Sequence, residues 1–126
     1  MAGRITVSTL NDDTGVLATQ NGMSGIAKAW VNFNGQSLAI RSAFNVSSVT
    51  RFGTGQYVVS FTTAFANTNY GVAGMAGDIS GGGVFDNCIL TTQNQTTSSI
   101  SILARNVQSG GTVADANFVS FAVFSS

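Results

Sequence analysis

From Lys28 to the C-terminus, apolar residues recur at every second position in short runs, and no window repeats the i, i+3, i+4, i+7 spacing of an amphipathic helix. Tyr57, Val59 and Phe61 share one phase while Ser60 and Thr62 take the other; Ile100 and Ile102 oppose Ser99 and Ser101 in the same way. This alternation predicts about eight strands, at 28–33, 36–42, 46–51, 56–62, 70–76, 86–92, 98–106 and 117–124. Turn chemistry separates them. Asn34-Gly35 suits a two-residue type I′ hairpin, since both positions of that turn need positive φ. Gly-, Asn- and Thr-rich stretches at 52–55, 64–69, 77–83, 93–97 and 107–111 mark the other breaks. The expectation is an all-β chain folded as an antiparallel, jelly-roll-like β-sandwich. One boundary stays open: Leu38, Ile40, Phe44 and Val46 keep a single phase, so 36–51 reads as two strands or as one bent at Ser47-Ser48.

Two further readings follow from the pattern. Residues 1–26 are set apart from the domain at 27–126: a short alternation through Ile5, Val7 and Leu10, a turn at 11–15, then few apolar residues. An extended arm that contacts a neighbouring subunit or a larger assembly would keep Ile5 and Val7 out of water, which a frayed terminus would not. The last strand is apolar on both faces, with Val119, Phe121 and Val123 in one phase and Phe118 and Phe124 in the other. Such a strand is central in a sandwich or covered by another subunit. Phe118, Phe124, Ile5 and Val7 are therefore the expected oligomer contacts.

Strand parity assigns the loops to two ends. Consecutive antiparallel strands alternate direction, so the loops at 34–35, 52–55, 77–85 and 107–116 share one end. The arm, the loops near 43–45, 63–69 and 93–97, and the C-terminus share the other. The two longest Gly-rich loops thus meet at an end remote from the arm, and Asp78, Phe85, Asp86, Asn106, Asp115 and Asn117 in or beside them are expected contact residues.

Composition narrows the chemistry. The chain of 126 residues fits one domain. Charged residues make up only 8%, against about a quarter in ordinary soluble domains. Such a surface is better tolerated when much of it is covered in an oligomer. The net charge is zero and the basic residues are scattered, so nucleic acid is not an expected partner. No apolar run reaches membrane-spanning length and the start lacks a secretory signal, so membrane insertion and export are not expected either. Histidine is absent, which excludes Ser-His-Asp and Cys-His catalysis. A carboxylate pair would have to come from Asp12, Asp13, Asp78, Asp86 and Asp115, and Asp in a Gly-rich turn ordinarily bonds its own backbone. No catalytic residue is assigned. Asn11-Asp-Asp-Thr-Gly15 has only a superficial likeness to a calcium loop, and no metal or cofactor is assigned. Cys88, the single cysteine, reads as a small buried hydrophobe; Trp30 reads as a packing residue of a core or interface, and Tyr70 as structural.

Certain residues carry a family likeness. Lys28-Ala-Trp-Val-Asn-Phe-Asn-Gly35, then Asn45-Val-Ser-Ser-Val-Thr-Arg51, Gly53-Thr-Gly55 and the Tyr57–Phe61 strand resemble a C-terminal receptor-binding module of phage and prophage tail fibres, of the type common in marine phages. The likeness is best over Ala27–Tyr70. It implies a homotrimeric virion protein, assembled in the host cytoplasm, that meets a host-surface glycan or protein and joins other tail or capsid proteins through its arm. Residues 1–26 carry no shaft-like repeat, which leaves a second expectation: a non-adhesive decoration or connector acting through subunit contacts alone.

Overall fold

The computed structural model describes residues 25–79, 88–108 and 110–125, the isolated positions 3 and 6, and the backbone of 9–11 and 16–18. It is all-β, with strands β1 (Thr9–Asn11), β2 (Val16–Ala18), β3 (Ala29–Phe33), β4 (Ile40–Phe44), β5 (Val46–Gly53), β6 (Gln56–Phe61), β7 (Gly71–Gly77), β8 (Cys88–Gln95), β9 (Ser99–Asn106), β10 (Thr112–Val113) and β11 (Phe118–Phe124). Within the N-terminal segment, β1 and β2 pair as a short antiparallel hairpin, Leu10 opposite Leu17.

The remaining strands form the two packed antiparallel sheets of a β-sandwich. One has the order β4-β3-β11-β7. In the other, β5 pairs β6, β6 pairs β9 and β8 pairs β9. Arg105 and Asn106 pair with both β8 and β10, so those two flank β9 on opposite edges and β10 continues the β6 side. The eight expected strands correspond one to one with β3–β9 and β11, and β10 is an addition inside the last long loop.

Alternation placed the core correctly in β6 and β9, whereas β3 is oriented by the structure alone. Ala29, Val31 and Phe33 of β3, Tyr57, Val59 and Phe61 of β6, Ile100 and Ile102 of β9, and Val119, Phe121 and Val123 of β11 all point between the sheets and are buried. Each fully buried Val, Ile or Phe side chain among them contributes roughly 1.5–3 kcal/mol. Aromatic pairs close both ends: Phe33 meets Tyr57 edge-on at 5.2 Å, and Phe65, from the loop after β6, packs between Phe61 at 4.7 Å and Tyr70 at 5.0 Å. Tyr70 is structural, as expected; its hydroxyl donates to the Thr96 carbonyl at 2.9 Å. Cys88 is only half-buried. Trp30 is not in the core. It shares β3 with Val31 but in the opposite phase, and lies 37% exposed on the outer face.

Two turn expectations are corrected. Asn34-Gly35 is not a type I′ turn, for neither residue takes positive φ; Leu38 does, at 62°. The β3–β4 connection is a longer loop closed by Asn34 N–H donating to Ala39 O at 2.9 Å and Leu38 N–H to Asn34 O at 2.8 Å, so β4 starts at Ile40 and not at 36. Asn34 serves this loop with its side chain: Oδ1 accepts from the Gln36 and Ser37 N–H groups at 2.8 and 3.0 Å. Gly35 is needed for a different reason. A Cβ there would overlap the Tyr57 hydroxyl and the Ala116 carbonyl.

The open boundary at 43–47 resolves at Asn45. The chain leaves one sheet at Phe44 and enters the other at Val46, and Asn45 between them has φ 55°. Its Oδ1 accepts from Thr63 N–H at 2.7 Å, while Nδ2 donates to Lys28 O and Thr63 O, both at 3.1 Å. One side chain thus ties three segments at the sheet crossing. Asn45→Ala is expected to cost about 4 kcal/mol, from a left-handed backbone penalty of roughly 1 kcal/mol and three lost hydrogen bonds of about 1 kcal/mol each. Asn45→Gly removes the bonds but not the backbone fit, and should cost less than the alanine variant. Urea midpoints of the two variants check this; alanine equal to or better than glycine would refute it.

Candidate functional site

Parity predicted which loops meet, and the hydrogen bonds agree. Gly35 N–H donates to Ala116 O at 2.8 Å, Gln36 Nε2 donates to Ile79 O at 2.9 Å, and Gly55 N–H reaches Asp115 Oδ1 at 2.8 Å. These contacts join the loops after β3, β5, β7 and β10 at one end. At the opposite end, Phe61 N–H donates to Ser98 O and Phe65 N–H to Thr97 O, both at 2.8 Å.

Asp115 is the hub of the first end. Its Oδ1 accepts from Gly55 N–H, from the Tyr57 hydroxyl at 2.9 Å and from Arg51 Nε at 3.1 Å, and its Oδ2 pairs with Arg51 Nη2. Burial alone would raise the carboxyl pKa, but the Gly55, Tyr57 and Arg51 donors outweigh it and hold the group below the usual carboxylate range. Burial, then the neighbouring Asp115, push the Tyr57 hydroxyl well above its ordinary value. This carboxylate is an acceptor already saturated by the fold.

Asn117 is the second hub. It donates through Nδ2 to Asp78 Oδ2 at 2.9 Å and through its backbone N–H to Asp78 O at 2.8 Å. Its Oδ1 accepts from Asn34 Nδ2 and from Arg41 Nη2 at 3.1 Å. The Arg41 guanidinium also lies 4.6 Å from the centre of the Phe118 ring. Asp78 has a left-handed backbone, φ 58°, and its Oδ1 is buried with no partner among the described residues. Asn106 folds its own turn, its Oδ1 accepting from Gln108 N–H at 2.9 Å.

The structure therefore brings Asp78, Asp115 and Asn117 to one end and binds all three into internal hydrogen bonds, with Asn106 closing a neighbouring turn. Phe85 and Asp86 lie outside the described residues, as do Ile5 and Val7. Phe118 and Phe124 are on the outer face of β11, both substantially exposed. Among the described residues there is no group of His, Cys, Asp or Glu that could hold a metal ion.

Sequence reading reached the two outer faces only at Phe118 and Phe124. On the β4-β3-β11-β7 sheet, Phe44, Trp30, Ala122 and Ala73 form a row across all four strands, with Asn32, Ser120 and Met75 in the next. Trp30 and Met75 rise on either side of a shallow hollow of about 470 Å³ floored by Ala73, Gly74, Ser120 and Ala122. Arg41 is the only charged residue in these four strands. The outer face of the other sheet carries a smaller groove of about 260 Å³ bordered by Phe52, Gln56, Gln93 and Asn94. The phase of Ala29, Val31 and Phe33 turns Trp30 outward, but nothing local pointed to the groove.

No family model, curated protein or solved structure matches the chain. What the fold defines is a class: an all-β sandwich with a hydrogen-bonded loop end and two unlike outer faces.

Proposed function

We propose that this chain is a non-enzymatic receptor-binding module of a phage tail fibre or tail tip. In this reading it is a homotrimer that binds a glycan on the host cell surface and attaches to other virion proteins through residues 1–26. The observation that carries the reading is the contrast between the outer faces. One sheet presents aromatic, Met and Ala side chains with a single charge, the composition of a surface that is covered by other subunits. The other presents uncharged carboxamides and an exposed aromatic ring, suited to a neutral polar ligand. The tail-fibre likeness of Lys28–Gly35 and Asn45–Arg51 fits a module of this kind. Those residues act as scaffold: Phe33 and Ala29 are core, Asn34 and Asn45 hold loops.

The expected result is saturable binding of the purified protein to intact bacterial cells from a host panel, by fluorescence of a labelled sample. Binding to no strain, together with stable self-association, would replace this reading with the connector or decoration role, which draws on the apolar sheet alone.

A further inference from the structure

We infer that the groove on the β5-β6-β9-β8 sheet is a binding site for a neutral pyranose ring. This deepens the receptor-binding reading and rests on it for the source of the sugar, though not for the chemistry of the groove. Both walls are made by interruptions of strand pairing. On β5 the register slips between Arg51 and Gly53, which frees Phe52; on β8 it slips between Thr92 and Gln95, which frees Gln93 and Asn94. Bulges re-aim side chains and stop pairing, and they concentrate beside binding sites. Here two independent bulges, on opposite edge strands of one sheet, turn toward the same groove.

The side chains at the walls have nothing else to do. Phe52 is 82% exposed, the most exposed large apolar side chain among the described residues, and the core would lose nothing by its removal. Asn34, Asn45, Asn106 and Asn117 spend their carboxamides on turns and crossings. Gln56, Gln93 and Asn94 make no side-chain hydrogen bond among the described residues and keep their full donor and acceptor capacity. Ser101 and Val58 lie between the walls, and Leu103 beside them is buried although its neighbour Ile102 faces the core.

A pyranose has an apolar face of C–H groups and a rim of hydroxyls. Phe52 supplies a ring for the first, and three carboxamides and a hydroxyl supply partners for the second. No charged residue lines the groove, so acidic sugars gain nothing there. At about 260 Å³ the volume falls just short of the ordinary range of ligand pockets, roughly 300–1,000 Å³. One ring, bound weakly, fits that size. Three grooves on a trimer would convert weak single-site binding into useful avidity.

The test is amide chemical-shift mapping of the purified full chain, titrated with methyl glucoside, methyl galactoside, methyl mannoside and N-acetylglucosamine at millimolar concentration. Glucuronate serves as the charged comparison. At least one neutral sugar should shift the amides of Phe52, Val58, Gln93 and Ser101, and glucuronate should not. Phe52→Ala should weaken that binding about tenfold, with Phe52→Trp restoring it, while thermal unfolding stays unchanged because the side chain is exposed. Shifts confined to the loop end around Asp78 and Asn117, no response to any neutral sugar, or equal affinity of Phe52→Ala would overturn the inference. Cell binding separates it from the broader reading. A wild-type protein that binds cells and a Phe52→Ala variant that binds them equally refute the groove alone; sugar binding in the groove without cell binding refutes the adhesin alone.

Discussion

Asp115→Ala is expected to lower the stability of the domain by about 3 kcal/mol, because it strands the Gly55 N–H and the buried Tyr57 hydroxyl, each worth roughly 1–3 kcal/mol when left unpaired. Little of this comes from the ion pair: Arg51 is 41% exposed, and solvent screens it. Asp115→Asn keeps an acceptor in place and should cost less. Urea unfolding of the three proteins at neutral pH measures the order. An alanine variant within about 0.5 kcal/mol of wild type, the range of an ordinary surface change, would show that the hub is ornamental.

The same residue gives the domain a pH signature. A carboxylate whose folded pKa is depressed contributes fully above its unfolded pKa of about 4 and loses that contribution as pH falls through the folded value. The stability gap between wild type and Asp115→Asn should therefore be constant at neutral pH and narrow below pH ~4. Tyr57 acts on the other limb. Its folded pKa is raised, so its contribution is complete below the unfolded value of about 10 and drains as pH rises past it. Tyr57→Phe should flatten that limb only in part, since burial raises Tyr70 as well.

None of this hub was visible in the sequence beyond its address. Strand parity brought the loops containing Gly55 and Asp115 together, because it needs only the count and direction of strands. The bonds themselves link residues 58 and 60 positions apart and depend on side-chain phase at both ends. Core assignment succeeded at Tyr57, Val59, Phe61, Ile100 and Ile102 for a simple reason: with a period of two, one buried face fixes every position in the run. The failures share a cause as well. Asn34-Gly35 has the local chemistry of a type I′ turn, yet Gly35 must pass against the Tyr57 hydroxyl and the left-handed residue moves to Leu38, which no local rule selects. The single phase shared by Leu38, Ile40, Phe44 and Val46 hid a sheet crossing, and only the tolerance of Asn for left-handed φ hinted at Asn45. The bulges at Phe52 and at Gln93-Asn94 are slips relative to a partner strand, so they do not exist as features until the pairing is known. The groove they build was illegible for that reason, and the Gly-rich loops drew the site assignment instead.

Met75→Lys is expected to reduce the proposed trimer to a monomer. Met75 is 71% exposed in the single chain, so a lysine there meets water and leaves the folded subunit unchanged. In an assembly through this sheet the same side chain would be buried without a partner, since Arg41, the only charge in β3, β4, β7 and β11, is of like sign. An uncompensated buried charge costs about 3–5 kcal/mol, a large share of what such a contact supplies. Trp30, Phe44, Met75, Phe118 and Phe124 together leave roughly 500 Å² of apolar surface exposed, about half of each side chain. A stable interface needs roughly 800 Å² per partner, so these residues would form most of it. The relief is suited to self-docking. Trp30 and Met75 stand beside a hollow floored by Ala73, Gly74 and Ala122, and a neighbour's Trp30 offers a side chain to fill it. A knob-into-hollow contact of this kind makes a trimer where its rotation is three-fold, as the proposed assembly requires. Light scattering on the eluting protein reads the mass directly: three chains for wild type, one for Met75→Lys, and three for Phe52→Lys, which places the same charge on the opposite sheet. A monomeric wild type, or a Met75→Lys protein of unchanged mass, would remove this face from the assembly.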